Sequence, residues 1–582
     1  MFIHYLVLGT TDLGDVLLSH LLPPFRGERD LQINNKFLLG PNKKIILNNL
    51  QYGFRADWAP VMPPTNSIPC NFLKNKEAVQ KARERFMGEI RKGRMLGGVG
   101  WSLKKVKDFL KREVYVIPCG AVPKNNDPCG RIVHNYSHPN KISNSINSAL
   151  VNTSVEYITF KERVAQLSKV DWYIKVDLKN GYRQLPVHPL DWHTQIYSLG
   201  PNEFFIDITM PFGKANSSRI FCRWTSTWCE SFKFHFQDHY SIPVSLSVYM
   251  DDFFGGPIRA ESLAKDLRKA DILIRDLIDI GAVTNSHMNL KKCEGPARSM
   301  DIIGLNFNSV KKSCFLAKSK ASKYRARLLN LRKSGWASSK ELQRVVGYLV
   351  YAAWVLPFGR PFISHISYFI DVKNIHKKVR LDVAALTACD IWLFLLKKNP
   401  GLPFNFILGK LPRKKDEWFV DASKKGYGGL CGTSFFKISH KRLLKMVDLD
   451  FKKVFGHAFI AYRELLAVLL ACQMFAKISP KSFVRINSDN SNVVTWVNKG
   501  RCSKKLGFLL LSAIEFFKFR FGLRVKAYYI KSRKNVSADK LSRGRTPIWL
   551  RRRGVRVKID VPEIVQLLNN PLPFWRRANT LL

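Results

Sequence analysis

A chain of 582 residues exceeds what one ordinary core can organise, so roughly three to five domains are expected. Its 46% hydrophobic and 12% aromatic content excludes wholesale disorder. Ninety-five Lys and Arg against 44 Asp and Glu leave a formal charge of +51, which argues for a polyanionic partner, nucleic acid first, over a membrane surface or a merely basic protein.

Residues 1–70 are rich in Asn, Pro and Gly with weak periodicity and read as an extension without an assignable role. Asp12 and Asp15, and the lack of a basic region ahead of the apolar stretch, argue against a secretory signal. A helix follows, with Val79, Ala82, Phe86 and Ile90 on one face and Lys and Arg on the other. Short apolar runs broken by Pro, Asn and Gly predict hairpins over 114–147. Residues 173–305 mix short β runs with a long helical segment, an α+β pattern.

Two runs in that stretch carry chemistry. YIKVDL at 173–178 is an apolar run ending in Asp177, and SVYMDDFF at 247–254 sets Asp251 and Asp252 between two apolar arms, as at a hairpin tip. An Asp pair in a turn is by itself an ordinary turn signal. Together with an acid ending a separate strand, it forms the set that phosphoryl transfer by two Mg²⁺ ions requires, carboxylates converging from different strands. An Arg- and Lys-rich helical stretch over 318–370 comes next, with Ser338 and Glu341 spaced as a capping box. Within it the longest apolar run, 345–358, is too short for a membrane span and is expected as one buried helix.

A helical connector containing Trp392 leads to a Pro/Lys-rich linker at 411–415, and a second α/β pattern runs from Trp418 to about Ser542. There WFVD ends a strand in Asp421, Glu464 lies early in the apolar helix RELLAVLLACQMF, Asp489 closes FVRINSDN, and Asp539 sits in NVSADKLSR. Each alone is an ordinary cap or turn residue; four of them on strand, helix, strand and terminal helix can clamp a second metal pair. Arg543, Arg545 and Arg551 to Arg553 form a basic patch that suits either a nuclear signal or a nucleic-acid-facing tail. Eleven cysteines scattered from Cys70 to Cys502, without CxxC spacing, indicate neither a zinc site nor a disulfide framework, so an intracellular protein of cytoplasm or nucleus is expected.

In this order the motifs resemble those of retroelement reverse transcriptases fused to ribonuclease H. The resemblance implies an α+β multidomain chain: a right-hand polymerase of fingers, palm and thumb, a connection, and an α/β ribonuclease H-like domain. The boundaries it suggests are an extension at 1–74, fingers and palm at 75–310, thumb at 311–375, connection and linker at 376–415, ribonuclease H at 416–545 and a basic tail at 546–582. It makes Asp177, Asp251 and Asp252 catalytic metal ligands of the polymerase, and Asp421, Glu464, Asp489 and Asp539 those of the nuclease, each set holding two Mg²⁺, with Mn²⁺ as an alternative. It assigns Lys124 and Arg131 in VPKNNDPCGR to the incoming triphosphate and Tyr182 to a gate against the ribose 2′-hydroxyl. Phe212 and Gly213 in PFGKANSSRIF fall beside the nascent base pair, Tyr249 and Met250 in YMDD beside the substrate, and Lys292 in NLKKCEG is a proton donor to pyrophosphate; IGL at 303–305 fits the primer-grip region.

The partners so implied are an RNA template, a DNA primer, RNA–DNA hybrid and dNTPs, with no membrane. Segments such as EIRKGRMLGG and SKELQRVVGYLVYAAWVLPFGRPF are most similar to DIRS-like, tyrosine-recombinase retrotransposons, with a Gypsy-type LTR element as the second choice. The alternative function is a decayed or domesticated copy acting as a basic RNA-binding protein. Five positions depart from the family pattern: Asn135 replaces an acid, Lys214, Ser217 and Ser218 stand in place of apolar and Ala-Pro residues, and Tyr529 stands where many relatives carry a histidine.

Overall fold

The computed structural model describes residues 28–59, 68–69, 71–73, 76–124, 127–139, 145–151, 154–260, 262–409, 415–446, 459–502 and 504–578. They fold as two compact units, one drawn from residues 1–159 and 169–298, the other from 160–168 and 299–582. Asp12, Asp15 and Cys70 lie outside the described residues, as do residues 411–414 of the linker expected at 411–415, whose last residue, Lys415, is instead the first of a strand. Among the described residues no helix is long and apolar enough to cross a membrane.

The first unit begins with α1 (Glu28–Phe37), α2 (Lys43–Tyr52), α3 (Lys76–Arg91), β1 (Met95–Val99) and α4 (Leu103–Leu110). The hairpin β2 (Cys119–Lys124) and β3 (Asp127–His134) follows. The next helix, α5 (Phe160–Leu167), belongs to the second unit. Then come β4 (Tyr173–Asp177), β5 (Ile196–Gly200), β6 (Glu203–Asp207), α6 (Ser217–Tyr240), β7 (Val244–Tyr249), β8 (Asp252–Pro257), α7 (Leu263–Val283) and β9 (Glu294–Ala297).

A four-stranded antiparallel sheet in the order β7-β8-β4-β9 is covered by α6 and α7. Trp228, Phe232, Phe253, Leu246, Val176, Leu273 and Leu277 fill the space between them. A smaller core around Phe86, Tyr197 and Phe205 joins α3, the sheet β1-β6-β5 and the β2–β3 hairpin.

The stretch read from sequence as an extension without a role is folded into the larger core over its described residues. Phe37, Leu38, Ile46 and Leu50 are buried there, and the Phe37 ring lies 5.3 Å from that of Trp228. Polar contacts fix the same segment: Leu39 N–H donates to Ser231 Oγ at 2.8 Å, and Asn34 Nδ2 to the Thr284 carbonyl at 3.3 Å. Further on, Asp191 accepts from Ala56 N–H at 2.6 Å and from Trp58 Nε1 at 2.9 Å.

Beside that anchor lies a buried lysine. Lys214 Nζ sits 3.2 Å from Thr194 Oγ1, 3.4 Å from Gln195 Oε1 and 4.8 Å above the Trp58 ring. Burial lowers its pKa to about 8, only partly offset by Asp191.

The second unit opens with β10 (Ser299–Ile302), β11 (Leu305–Asn308), β12 (Ser313–Leu316), α8 (Lys318–Ser334), β13 (Trp336–Ser338), α9 (Ser339–Ala352), α10 (Arg360–Ser367), β14 (Lys378–Arg380), α11 (Val383–Lys398), β15 (Leu402–Pro403) and α12 (Phe404–Leu408). The Ser338–Glu341 capping box starts α9 as its spacing predicts, with both reciprocal bonds formed. The apolar run 345–358 is not one helix. α9 ends at Ala352, and Pro357, which offers no N–H to an α-helix, opens a separate 3₁₀ turn at Pro357–Gly359.

A six-stranded sheet follows, built from β16 (Lys415–Ala422), β17 (Gly426–Cys431), β18 (Ser434–Ser439), β19 (Phe483–Ser488), β20 (Arg524–Tyr529) and β21 (Val555–Arg556) in the order β20-β19-β16-β17-β18-β21. β16, β17 and β18 form an antiparallel meander, β19 and β20 add in parallel beside β16, and β21 runs parallel to β18 at the far edge. The helices of this region are α13 (His440–Lys445), α14 (Ile460–Phe475), α15 (Ser491–Lys499), α16 (Lys505–Phe521), α17 (Val536–Ser542), α18 (Ile548–Arg553), α19 (Val561–Asn569) and α20 (Pro571–Arg577). α14 is buried all round from Glu464 to Phe475 because it lies between the sheet and α16, which explains its unbroken apolar sequence.

Residues read as a basic tail fold onto this unit. Trp575 is fully buried against Phe362, Phe516 and Phe519, and Ile564, Leu567 and Leu568 are buried with it.

Phe37→Ala should cost about 3 kcal/mol or more in urea unfolding, the range for a buried aromatic, whereas a loose extension would show no change. Lys214→Met tests the buried amine. Between pH 8 and 10.5 the unfolded chain holds a proton that folded Lys214 has released, so stability rises with pH. The variant lacks this rise: it should gain most over the parent at pH 7, by up to about 3 kcal/mol, and the gap should close toward pH 10.5.

Candidate active sites

In the first unit the backbone brings three aspartates to one end of the sheet. Asp177, the last residue of β4, pairs directly with Asp252, the first of β8. Tyr249 and Asp252 close the β7–β8 hairpin, with Met250, at φ +60°, and Asp251 in its two-residue turn. Leu178 N–H donates to the Asp251 carbonyl at 2.9 Å, tying the turn to the end of β4. Asp177 is buried at 6% exposure; Asp251 and Asp252 are half-buried. Burial pushes Asp252 up to about 6, with Asp251 and Asp177 adding repulsion, and burial likewise raises Asp251.

Segment 287–292 is strapped across this end. Asn289 N–H donates to the Asp177 carbonyl at 2.7 Å, and Lys292 Nζ reaches both Asp177 carboxylate oxygens at 2.9 and 3.1 Å. That hydrogen bond to Asp177 is the main cause of the raised Lys292 pKa. Gly181 lets the chain pass: a Cβ there would stand 2.7 Å from the Phe221 ring and 3.4 Å from Asp251 Cβ.

Tyr182, close enough to Asp251 to feel its charge, is stacked on Phe221 at 4.5 Å and 14° and packs against Phe212 at 4.5 Å. Its hydroxyl donates to Ser218 Oγ at 3.0 Å, so one of the departures from the family pattern supplies the acceptor that orients the ring. Phe212 is exposed, and Gly213, at φ +100°, passes so close to His134 that a Cβ would lie 2.8 Å from its carbonyl oxygen. Asn147 holds this loop by donating to the Gly213 carbonyl and accepting from Ala215 N–H. Tyr249 packs on Tyr157 at 4.8 Å, and Met250 Sδ accepts from the Tyr157 hydroxyl.

Arg131 stands exposed on β3 opposite Val122; Lys124 ends β2, but its side chain lies outside the described residues. Asn135 accepts from Ser137 N–H at 3.2 Å, a turn bond that a carboxylate at this position would also make. The IGL segment forms the turn of the β10–β11 hairpin, where Ile302 pairs with Leu305, and so belongs to the second unit.

The second unit holds the other acid set. Asp421 lies near the end of β16, Glu464 on the first turns of α14, Asp489 just beyond β19, and Asp539 on α17. Asp421 and Glu464 are 6% and 7% exposed. Burial raises Asp421 to about 6, against a hydrogen bond from Ser542, with Asp489 and Asp539 adding to the rise. Burial raises Glu464 to about 7, with Asp489 and Asp421 acting in the same direction.

Asn490 Nδ2 and Ser488 Oγ donate to Glu464 at 3.3 and 3.4 Å, and Arg543 Nε pairs with Asp539 at 2.8 Å. α17 can approach because Gly428 has no side chain; a Cβ there would meet Leu541 Cβ and Ser542 N at 2.5 Å. Tyr529, the last residue of β20, is 57% exposed.

Sequence reasoning named the acids and missed the groups that hold them. Asn289 sits three residues from Lys292, and Asn490 directly after Asp489, so the polar residues flanking each acidic motif were the available signal. Among the described residues no three His, Cys, Asp or Glu side chains converge as a ready metal-ion site. The donor chemistry still fits a hard divalent cation. Both sets offer only carboxylate oxygens, and burial plus mutual repulsion hold several toward protonation, a strain that a cation relieves.

Residues 122–307 match the family model described as reverse transcriptase (RNA-dependent DNA polymerase), a span of less than half the chain. Two solved structures similar to the chain are foamy viral protease-reverse transcriptases. The one in complex with RNA/DNA hybrid is 13% identical at a TM-score of 0.43, covering 86% of this chain and 62% of that one. The one in complex with double-stranded DNA is 15% identical at 0.42, covering 87% and 97%. The chain thus spans less than two thirds of the first of these. No curated protein matches it. The family match and the aspartate-bearing sheet coincide, and the chain carries a reverse transcriptase domain over residues 122–307.

Proposed function

We propose that the chain is an RNA- and DNA-directed DNA polymerase with a fused ribonuclease H, serving replication of a retrotransposon. The observation that carries the polymerase half is the pairing of Asp177 with Asp252 beside the Asp251 turn, with the Tyr182 ring stacked on Phe221 within reach of the Asp251 charge. Asp177, Asp251 and Asp252 would hold Mg²⁺ in the polymerase, and Asp421, Glu464, Asp489 and Asp539 in the nuclease. Bound there, the metal supplies charge neutralisation of the phosphates and a more acidic attacking hydroxyl or water.

The chain's own residues do the rest. Lys292, within reach of Asp177, delivers a proton to departing pyrophosphate. Tyr182, fixed by Ser218 and Phe221, presents a rigid ring edge where a 2′-hydroxyl would fall. Support for the nuclease half is the sheet order, a three-strand antiparallel meander continued by two parallel strands, with buried acids at the strand ends and on the covering helix. A polymerase that copies RNA into DNA also needs its template removed. The charge of +51 suits RNA template, DNA primer and hybrid as partners, which would place the protein in cytoplasm or nucleus.

Primer extension on an RNA template with dNTPs and Mg²⁺ tests the reading; no extension at low salt overturns it. Asp251→Asn should abolish extension and leave hybrid cleavage intact, whereas joint loss would contradict two independent sites. Tyr182→Ala should admit ribonucleotides, scored as the ratio of rNTP to dNTP incorporation; an unchanged ratio removes the gate. Because Asp252 and Glu464 bind protons near pH 6 and 7, the Mg²⁺ concentration giving half-maximal activity should rise as pH falls through those values. For hybrid cleavage the rise should begin about one pH unit higher than for extension.

A further inference from the structure

Beside the second acid set lies a groove of about 610 Å³ that the proposed chemistry does not use. Lys425, Lys437, Arg442, Arg543, Arg556 and Lys558 line it, and among the described residues its lining contains no carboxylate. The sixth strand builds one wall. β21 is held on the edge of β18 by Val555 N–H to the Thr433 carbonyl at 3.0 Å and Val557 N–H to the Phe435 carbonyl at 2.9 Å. Alternation along an extended chain then sends Arg556 and Lys558 to the same side. Arg556 Nη2 also donates to the Lys437 carbonyl at 3.4 Å, and Lys437 Nζ to the Gly544 carbonyl at 2.9 Å, so the two walls are joined by their own cations.

Gathering like charges this way costs stability unless an anion answers them. Burial and the proximity of Arg556 and Arg551 already press the Lys437 amine toward its neutral form. The groove also touches the acid set: Ser542 and Arg543 line it, while Ser542 bonds Asp421 and Arg543 pairs with Asp539.

We infer that this groove binds the sugar-phosphate backbone of a nucleic-acid strand and leads it into the Asp421–Glu464–Asp489–Asp539 site, the residues after 545 serving as a built wall of the track. The inference rests on the ribonuclease reading of that site. A single inorganic anion would not answer cations spread over both walls; a strand carrying successive phosphates does. The backbone is recognised through charge, so sequence plays no part.

The test uses the full chain and the triple variant Arg442→Ala, Arg556→Ala, Lys558→Ala, all exposed side chains, with thermal unfolding and primer extension as controls for the fold. With an RNA–DNA hybrid as probe, the variant's KM for cleavage should rise about tenfold with kcat unchanged, and the log–log salt slope of hybrid binding should fall by about 2 to 3. Hybrids carrying one neutral methylphosphonate at successive positions give the register. At one or two positions neutralisation should weaken cleavage by the parent and have no further effect on the variant. An unchanged KM and salt slope, or methylphosphonate effects identical in the two proteins, overturn the inference. If the parent cleaves no hybrid, the ribonuclease reading fails by itself; the salt slope of hybrid binding then decides the groove, a fall supporting it and no change removing it.

Discussion

The constraint on which the structure depends is the holding of carboxylates together, partly out of water, in a chain whose net charge is +51. Asp177, Asp421 and Glu464 are each less than a tenth exposed, and their neighbours are further acids. Buried like charges repel, and the chain tolerates this only by fixing the backbone beneath them. In the first unit the fixing is done by β-pairing and the strap at 287–292; in the second, by a helix buried all round and by α17 seated on Gly428. The rigid cores under both sets are therefore requirements of the electrostatics as much as of stability.

Features whose physics is local were legible in the sequence. An apolar run ending in an acid reads as a strand with a carboxylate at its tip, and β4 and β16 carry theirs at or next to the last residue. The Ser338–Glu341 box needs only four residues to declare itself. The hairpin around Asp251 was equally plain, because two apolar arms flank a polar pair. The contacts that hold the acids in place were not legible. Lys292 meets Asp177 across 115 residues, Asn490 meets Glu464 across 26, and no short window contains both members of either pair.

The two ends of the chain show a different failure. Around Phe37 the apolar positions are few and interleaved with Asn and Lys, so periodicity is weak; tertiary packing against Trp228 and Ser231 makes the segment core. At the other end the pattern was present. Ile564, Leu567 and Leu568 recur at helical spacing before Trp575, but the arginine cluster at 551–553 dominates composition and suggests a solvated tail. The run at 345–358 shows the opposite case: its hydrophobicity suggests one helix, yet Pro357 opens a separate turn.

Each acid set also carries one exposed cation: Lys292 on Asp177, with 61% of its side chain in solvent, and Arg543 on Asp539, with 55%. Pairs this open to water are weak and screened by salt, so they orient a carboxylate without binding it tightly. That is the balance the proposed metal-assisted sites would require. A buried partner would compete with a divalent ion for the same oxygens, while no partner would leave the acids repelling one another during folding. Both cations sit on short segments outside the sheets, a 3₁₀ turn for Lys292 and the end of α17 for Arg543, where a side chain can swing away without disturbing a strand. The same logic extends to the basic groove: Arg543 is at once the partner of Asp539 and part of the groove wall, so under the proposed function a phosphate bound in the groove would compete with Asp539 for the Arg543 guanidinium.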